Sequence, residues 1–144
     1  MISLVSAATN GCVYCTSHHG ALMHAETGDA LFAEYLLRNY TLAPLSPRHC
    51  AMLDFVVKVQ KDAEHIAEAD RQGLRDVGFD DEAIWRVIST AAFYASANRI
   101  AQATGLKPAP QYQEMYREPR ARTSCRAARL STAAPARRPV DSRR

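Results

Sequence analysis

Long apolar runs are missing from this sequence. No stretch reaches the roughly 18 consecutive apolar residues that a membrane span requires, so no transmembrane helix is expected. The apolar start of the chain has no basic segment and no A-x-A cleavage site, which argues against a secretory leader. Sustained period-2 alternation with β-branched enrichment is also absent, so no strand is expected. Cysteine is sparse, with 4 in 144 residues, too few and too uneven for a secreted disulfide scaffold. A soluble, cytoplasmic chain is the expectation.

The 144 residues are 47% hydrophobic and 23% charged, enough for one domain with a core and too few for a second full one. The net charge of +3 hides an asymmetry. Residues 117–144 carry nine Arg against only Glu118 and Asp141, so a basic tail follows a mildly acidic body. That tail is Arg, Ala, Ser, Thr and Pro, with Leu130 and Val140 its only large aliphatics. It has too little apolar surface to offset chain entropy, and disorder is expected from about residue 117. It lacks interleaved aromatics and any DNA-binding motif, so solvated disorder is preferred to nucleic-acid binding.

Residues 1–116 read as an all-α domain. Ile2 to Ala8 form an apolar helix broken by Asn10-Gly11, and a second helix opens near Cys12 and stops at Gly28. A third runs from Asp29 to Asn39, with Leu31, Ala33 or Phe32, Tyr35 and Leu36 at helical spacing. Ser46-Pro47 reads as a cap followed by a first-turn proline, opening a helix to about Lys61 that buries Met52, Leu53, Val56 and Val57. A shorter helix spans about Ala67 to Val77. Asp80-Asp81-Glu82 then opens the longest one, which ends at Gly105 and carries Ile84, Val87, Ile88, Ala91 and Ala95 on one stripe. The first helix is apolar almost all round and lacks an upstream partner, which predicts a homo-oligomer or poor solubility.

The chemistry lies in Gly11-Cys12-Val13-Tyr14-Cys15-Thr16-Ser17-His18-His19. On a helix, with Cys15 at zero, Cys12 falls at about +60° and His19 at about +40°, with His18 on the flank at about −60°. Both thiols and His19 therefore share a face. A helix start favours a thiolate, and an imidazole one turn on is placed to accept its proton. Leu22, one turn further, is expected to give the site an apolar floor. These are the parts of a dithiol oxidoreductase. Two alternatives stay open: a zinc site using Cys12 and Cys15 with His18, His19 or His24, and a chemically inert buried pair. No second C-x-x-C or H-x3-5-H lies downstream to complete a zinc set. Tyr14 is placed either to line a substrate pocket or to fill core. His24, opposite Cys15, reads as a surface or interface residue, and His49 as helix-start packing. His65 falls in a charged loop, Cys50 reads as a small buried hydrophobe, and Cys125 as an exposed thiol of the tail. Asn98, on the apolar face of the long helix, is expected to find a hydrogen-bond partner, such as the end of a neighbouring helix.

The run from Val5 to Gly20 resembles the signature of the alkylhydroperoxidase AhpD-like, carboxymuconolactone decarboxylase superfamily, and within it the peroxidase-related branch. The segments from Ala51 to Lys58 and from Gly78 to Glu82, with Ala92-Phe93-Tyr94 and Asn98-Arg99-Ile100-Ala101, resemble that branch as well. The resemblance implies an all-helical, usually oligomeric fold that reduces hydroperoxides without a cofactor or metal. It implies that Cys15 attacks the peroxide, that Cys12 donates a proton and then closes the disulfide, and that His19 relays protons. His18 and Tyr14 become auxiliary candidates. A dithiol reductant, lipoyl or thioredoxin-like, is implied as partner. In such proteins a Glu twelve residues before the first Cys completes the relay. That position falls just ahead of Met1, so the expectation is a truncated product or an internal start, and a tail read in a shifted frame. Two other functions are weighed: a silent helical oligomerisation domain, and a decarboxylase-type, non-redox member of the same fold.

Overall fold

The computed structural model describes residues 1–114. They form α1 (Ile2–Thr9), α2 (Val13–Thr27), α3 (Ala30–Arg38), α4 (Pro47–Lys61), α5 (Glu68–Asp76), α6 (Asp81–Ala103) and α7 (Pro110–Glu114). Short 3₁₀ turns at Tyr40–Leu42 and Ala63–His65 complete the described residues, and there is no strand among them. No helix among them is long and apolar enough to cross a membrane.

Local chemistry sets the boundaries. Asp29 accepts the Phe32 N–H at 3.0 Å, Ser46 the His49 N–H at 3.3 Å, and Asp80 the Ala83 N–H at 2.7 Å, so α3, α4 and α6 each begin at a side-chain cap. Between α1 and α2 the chain reverses at Gly11, whose φ of 65° is costly for a residue with a Cβ. There the Cys12 N–H closes on the Ala7 carbonyl at 3.0 Å, which places Cys12 at the mouth of α2. Gln102, near the end of α6, donates to the Asn10 carbonyl at 2.9 Å and ties this turn down.

The core is built around α1, which packs against α2, α3, α4 and α6. Leu4 and Val5 are buried among Leu36, Leu53, Val56, Leu74, Ile84, Val87 and Ala91. The α1 surface expected to drive assembly is not exposed, because this chain's own helices cover Leu4 to Ala7. A polar bolt runs through the same region. Gln60 donates to Ser6 Oγ at 3.0 Å and to the Ala91 carbonyl at 2.8 Å, and accepts from Asn10 Nδ2 at 2.9 Å. One side chain thus joins α1, α4 and α6 with both of its polar atoms satisfied.

α5 buries Leu74 in the core and carries ion pairs around it. Lys58 reaches Asp70 at 2.8 Å, and Arg75 bridges Glu68 at 2.5 Å and Asp81 at 2.8 Å. The guanidiniums of Arg75 and Arg71 hold the Glu68 carboxyl below its usual range. Leu31 departs from the expected packing of α3: it is exposed, and Ala33 and Leu36 carry the buried stripe. The 3₁₀ turns and α7 were not foreseen, since segments this short carry too little periodicity to read. The basic tail at 117–144, with Cys125, lies outside the described residues.

Candidate functional site

Cys12 is the N-cap of α2 and Cys15 sits in its first turn, with the Cys15 N–H donating to Cys12 Sγ at 3.3 Å. The two are joined as a disulfide, with Cα atoms 5.2 Å apart, inside the range such a bond requires. Their environments differ. Cys12 is sealed among Ala7, Cys15 and Ala101, whereas Cys15 also forms part of the wall of a cavity of about 350 Å³ between α2 and α6. The helix start directs its free N–H groups at the pair and favours negative charge on sulfur.

His19 lies one turn beyond Cys15 and lines the same cavity, as do Tyr14 and His18. The sequence-derived set Cys15, His19, His18 and Tyr14 thus shares one wall, and Cys12 stands behind it. Aromatic packing fixes the imidazoles. His18 lies parallel to Tyr14 with centroids 6.3 Å apart and takes the Tyr112 ring edge-on at 4.6 Å. His19 meets His18 at 5.3 Å and Tyr94 edge-on at 5.0 Å. Burial, followed by His18 and the Met1 amino group, pushes the His19 pKa down to about 4. At neutral pH its imidazole is uncharged and weakly basic, so it can take the Cys15 proton only in concert with attack by the sulfur and does not hold a resting thiolate as a cation.

The floor of the cavity differs from the expected one. Leu22 is 43% exposed and takes no part in it. The apolar lining comes from Phe93, Ala97, Ile100, Ala101 and Leu106. Tyr94 and Tyr112 are site residues that sequence reading did not single out. For Tyr94 a signal existed, since it shares a helical stripe with Asn98 and Ala101. For Tyr112, beyond the last long helix, there was none.

Several other expectations are corrected. His24 is buried rather than on the surface, because α3 covers the face of α2 opposite Cys15. His49 is exposed, and only its backbone N–H serves the start of α4. Cys50 is half-buried rather than sealed. Asn98 is fully buried, yet neither Nδ2 nor Oδ1 has a hydrogen-bond partner, so it caps no helix. His18 Nδ1 is likewise buried and unpartnered. The donor atoms of the zinc alternative do not converge. Among the described residues the one group of His, Cys, Asp and Glu close enough to share an ion is Asp62, Glu64 and His65, an exposed cluster elsewhere on the surface.

The all-helical domain, with a C-x-x-C at a helix start, a His one turn on and an apolar cavity over the second Cys, is consistent with the AhpD-like class that the sequence resembles. Solved structures agree. An uncharacterized peroxidase-related protein from a Silicibacter species is 38% identical, with a TM-score of 0.78 over 80% of this chain and 60% of that one. A protein from Ralstonia eutropha, described as an alkylhydroperoxidase AhpD core and an uncharacterized peroxidase-related protein, is 37% identical, with a TM-score of 0.77 over 82% of this chain and 62% of that one. The chain therefore belongs to the AhpD-like superfamily and stands with its peroxidase-related proteins. It spans about three-fifths of the length of these two structures. No family model matches the chain, and no curated protein does.

Proposed function

We propose that the chain is a thiol peroxidase in which Cys15 is the attacking sulfur, Cys12 the resolving one and His19 the proton acceptor. The observation that carries this reading is the asymmetry of the pair: Cys15 opens on the apolar cavity beside His19, while Cys12 is sealed behind it. A peroxide entering the cavity meets Cys15 first.

The chemistry balances as two steps. As the Cys15 sulfur attacks the terminal peroxide oxygen its proton passes to His19, an S–O bond forms and the O–O bond breaks. The departing alkoxide takes the Cys12 proton and leaves as an alcohol, so Cys12 becomes the next attacking thiolate and the proton held by His19 goes out with the water. Cys12 then attacks the Cys15 sulfenic acid, an S–S bond forms, and water leaves. Two thiols are oxidised as one peroxide is reduced, and a Cys12–Cys15 disulfide of the kind seen here is what this cycle would leave. A cytoplasmic dithiol of lipoyl or thioredoxin type returns both electrons. Residues 1–116 form the catalytic domain in this reading, and the basic stretch 117–144 is a tail.

The oligomer expected from the sequence also belongs here, on different grounds. Phe93, Ile100 and Leu106 are 66%, 62% and 52% exposed around the cavity mouth, an apolar rim that a second copy of the chain would cover.

Trapping experiments test the site assignment. After peroxide, Cys12→Ser should hold a sulfenic acid on Cys15 that a 1,3-dione reagent labels, and Cys15→Ser should carry no label at position 12. Label on Cys12 in the Cys15→Ser chain, with none on Cys15 in the other variant, would reverse the two roles.

A further inference from the structure

Asn98 is the anomaly of the site. It lies on α6 between Tyr94, whose ring touches His19, and Ala101, which packs against Cys12 and Cys15. Positions 94, 98 and 101 fall on one stripe of a helix, and that stripe faces the Cys15–His19 stripe of α2. Asn98 thus lies on the α6 stripe that faces these two residues and belongs to the wall of the cavity they share. Its carboxamide is fully buried, and both polar atoms lack a partner. The buried Ser6 and Gln60 are satisfied, bonding each other and the Ala91 carbonyl, and the other buried atom without a partner, His18 Nδ1, belongs to a residue of the same cavity wall. Desolvating an amide without compensation is unfavourable, and such groups persist where something binds them.

From this placement we infer that Asn98 is the hydrogen-bonding group for the peroxide itself. The inference rests on the proposal that Cys15 is attacked by peroxide. A carboxamide offers one acceptor and an adjacent donor. A hydroperoxide offers the reverse, an O–H on its terminal oxygen and an acceptor on the next. Paired with Asn98, the peroxide O–H points at Oδ1, and the inner oxygen receives an N–H from Nδ2. The terminal oxygen is then held for attack by Cys15. As the S–O bond forms and the O–O bond breaks, charge builds on the inner oxygen, where the N–H already points. Oriented donors of this kind act on the transition state more than on the bound substrate. Leucine has a similar shape and neither group, and aspartate keeps the acceptors but loses the donor.

Two oxidants applied to the reduced chain separate this role from a structural one. Cumene hydroperoxide presents a peroxide, whereas diamide closes the Cys12–Cys15 disulfide without any oxygen to be held. Asn98→Leu should slow thiol loss to cumene hydroperoxide on the order of 10²-fold. It should leave the diamide rate at the parent's value and the melting temperature unchanged or higher. If Asn98→Leu fails to fold, Asn98→Ala reads the same split. Equal peroxide rates in parent and variant overturn the assignment, and so does an equal slowing with both oxidants, which marks a structural role. A parent chain inert to cumene hydroperoxide but closed by diamide overturns the peroxidase reading itself and this assignment with it.

Discussion

Tyr94 presents its ring edge-on to His19, with centroids 5.0 Å apart and planes at 89°. α6 thereby holds the imidazole that α2 supplies, and the contact uses the ring rather than the phenol oxygen. Tyr94→Phe should therefore keep the rate of peroxide-driven thiol loss. Tyr94→Ala should lower it by on the order of 10²-fold, the scale set by a small misplacement of a catalytic group. Stopped-flow measurement of thiol consumption checks both, and a slow Tyr94→Phe variant would move the role to the hydroxyl.

The imidazole of His19 should be invisible to titration near its ordinary pKa. Burial, with His18 and the Met1 amino group, holds it at about 4, so it is neutral throughout the range from pH 5 to 8. The sign for stability follows. The unfolded chain binds a proton at His19 as pH falls below about 6.5, and the folded chain does not until about pH 4. Stability at this group is thus lost as pH falls through that window, and His19→Gln should flatten the loss. Thermal melts of the two chains between pH 4 and 7 check this. Identical pH profiles would contradict it.

Gln60 makes a third test, one of the fold rather than the chemistry. Its amide serves Ser6, Ala91 and Asn10 together, so Gln60→Leu strands several buried polar groups at once. Each such group costs about 1–3 kcal/mol, and the melting temperature should drop clearly. Denaturant unfolding checks the magnitude. A neutral substitution would mean that the three partners find bonds elsewhere.

Much of the architecture was readable because its signals are local. Ser46-Pro47, Asp29 and Asp80 mark helix starts by chemistry that acts within one turn, and each of them does cap a helix here. The C-x-x-C with His19 was likewise legible, since all its parts sit on one helix. What failed depends on the neighbouring element. Leu22 and Leu31 have apolar side chains but face solvent. His24 lies opposite Cys15 and is buried, because only the packing of α3 decides that face. Tyr112 reaches His18 from a short helix without periodicity, and the opposition of Asn98 to the thiols needs the register of α6 against α2. Long-range packing of this kind leaves little trace in a single sequence.

The central claim is that peroxide oxidises one specific pair of thiols in a single turnover. The most direct measurement is a titration of the fully reduced chain with alkyl hydroperoxide, followed by thiol counting and peptide mapping. One equivalent of peroxide should consume two thiols per chain and yield one equivalent of alcohol. The peptides bearing Cys12 and Cys15 should then carry the only new disulfide, leaving Cys50 free. Loss of Cys50 before this pair, or a reduced Cys12–Cys15 pair that survives excess peroxide, would contradict it.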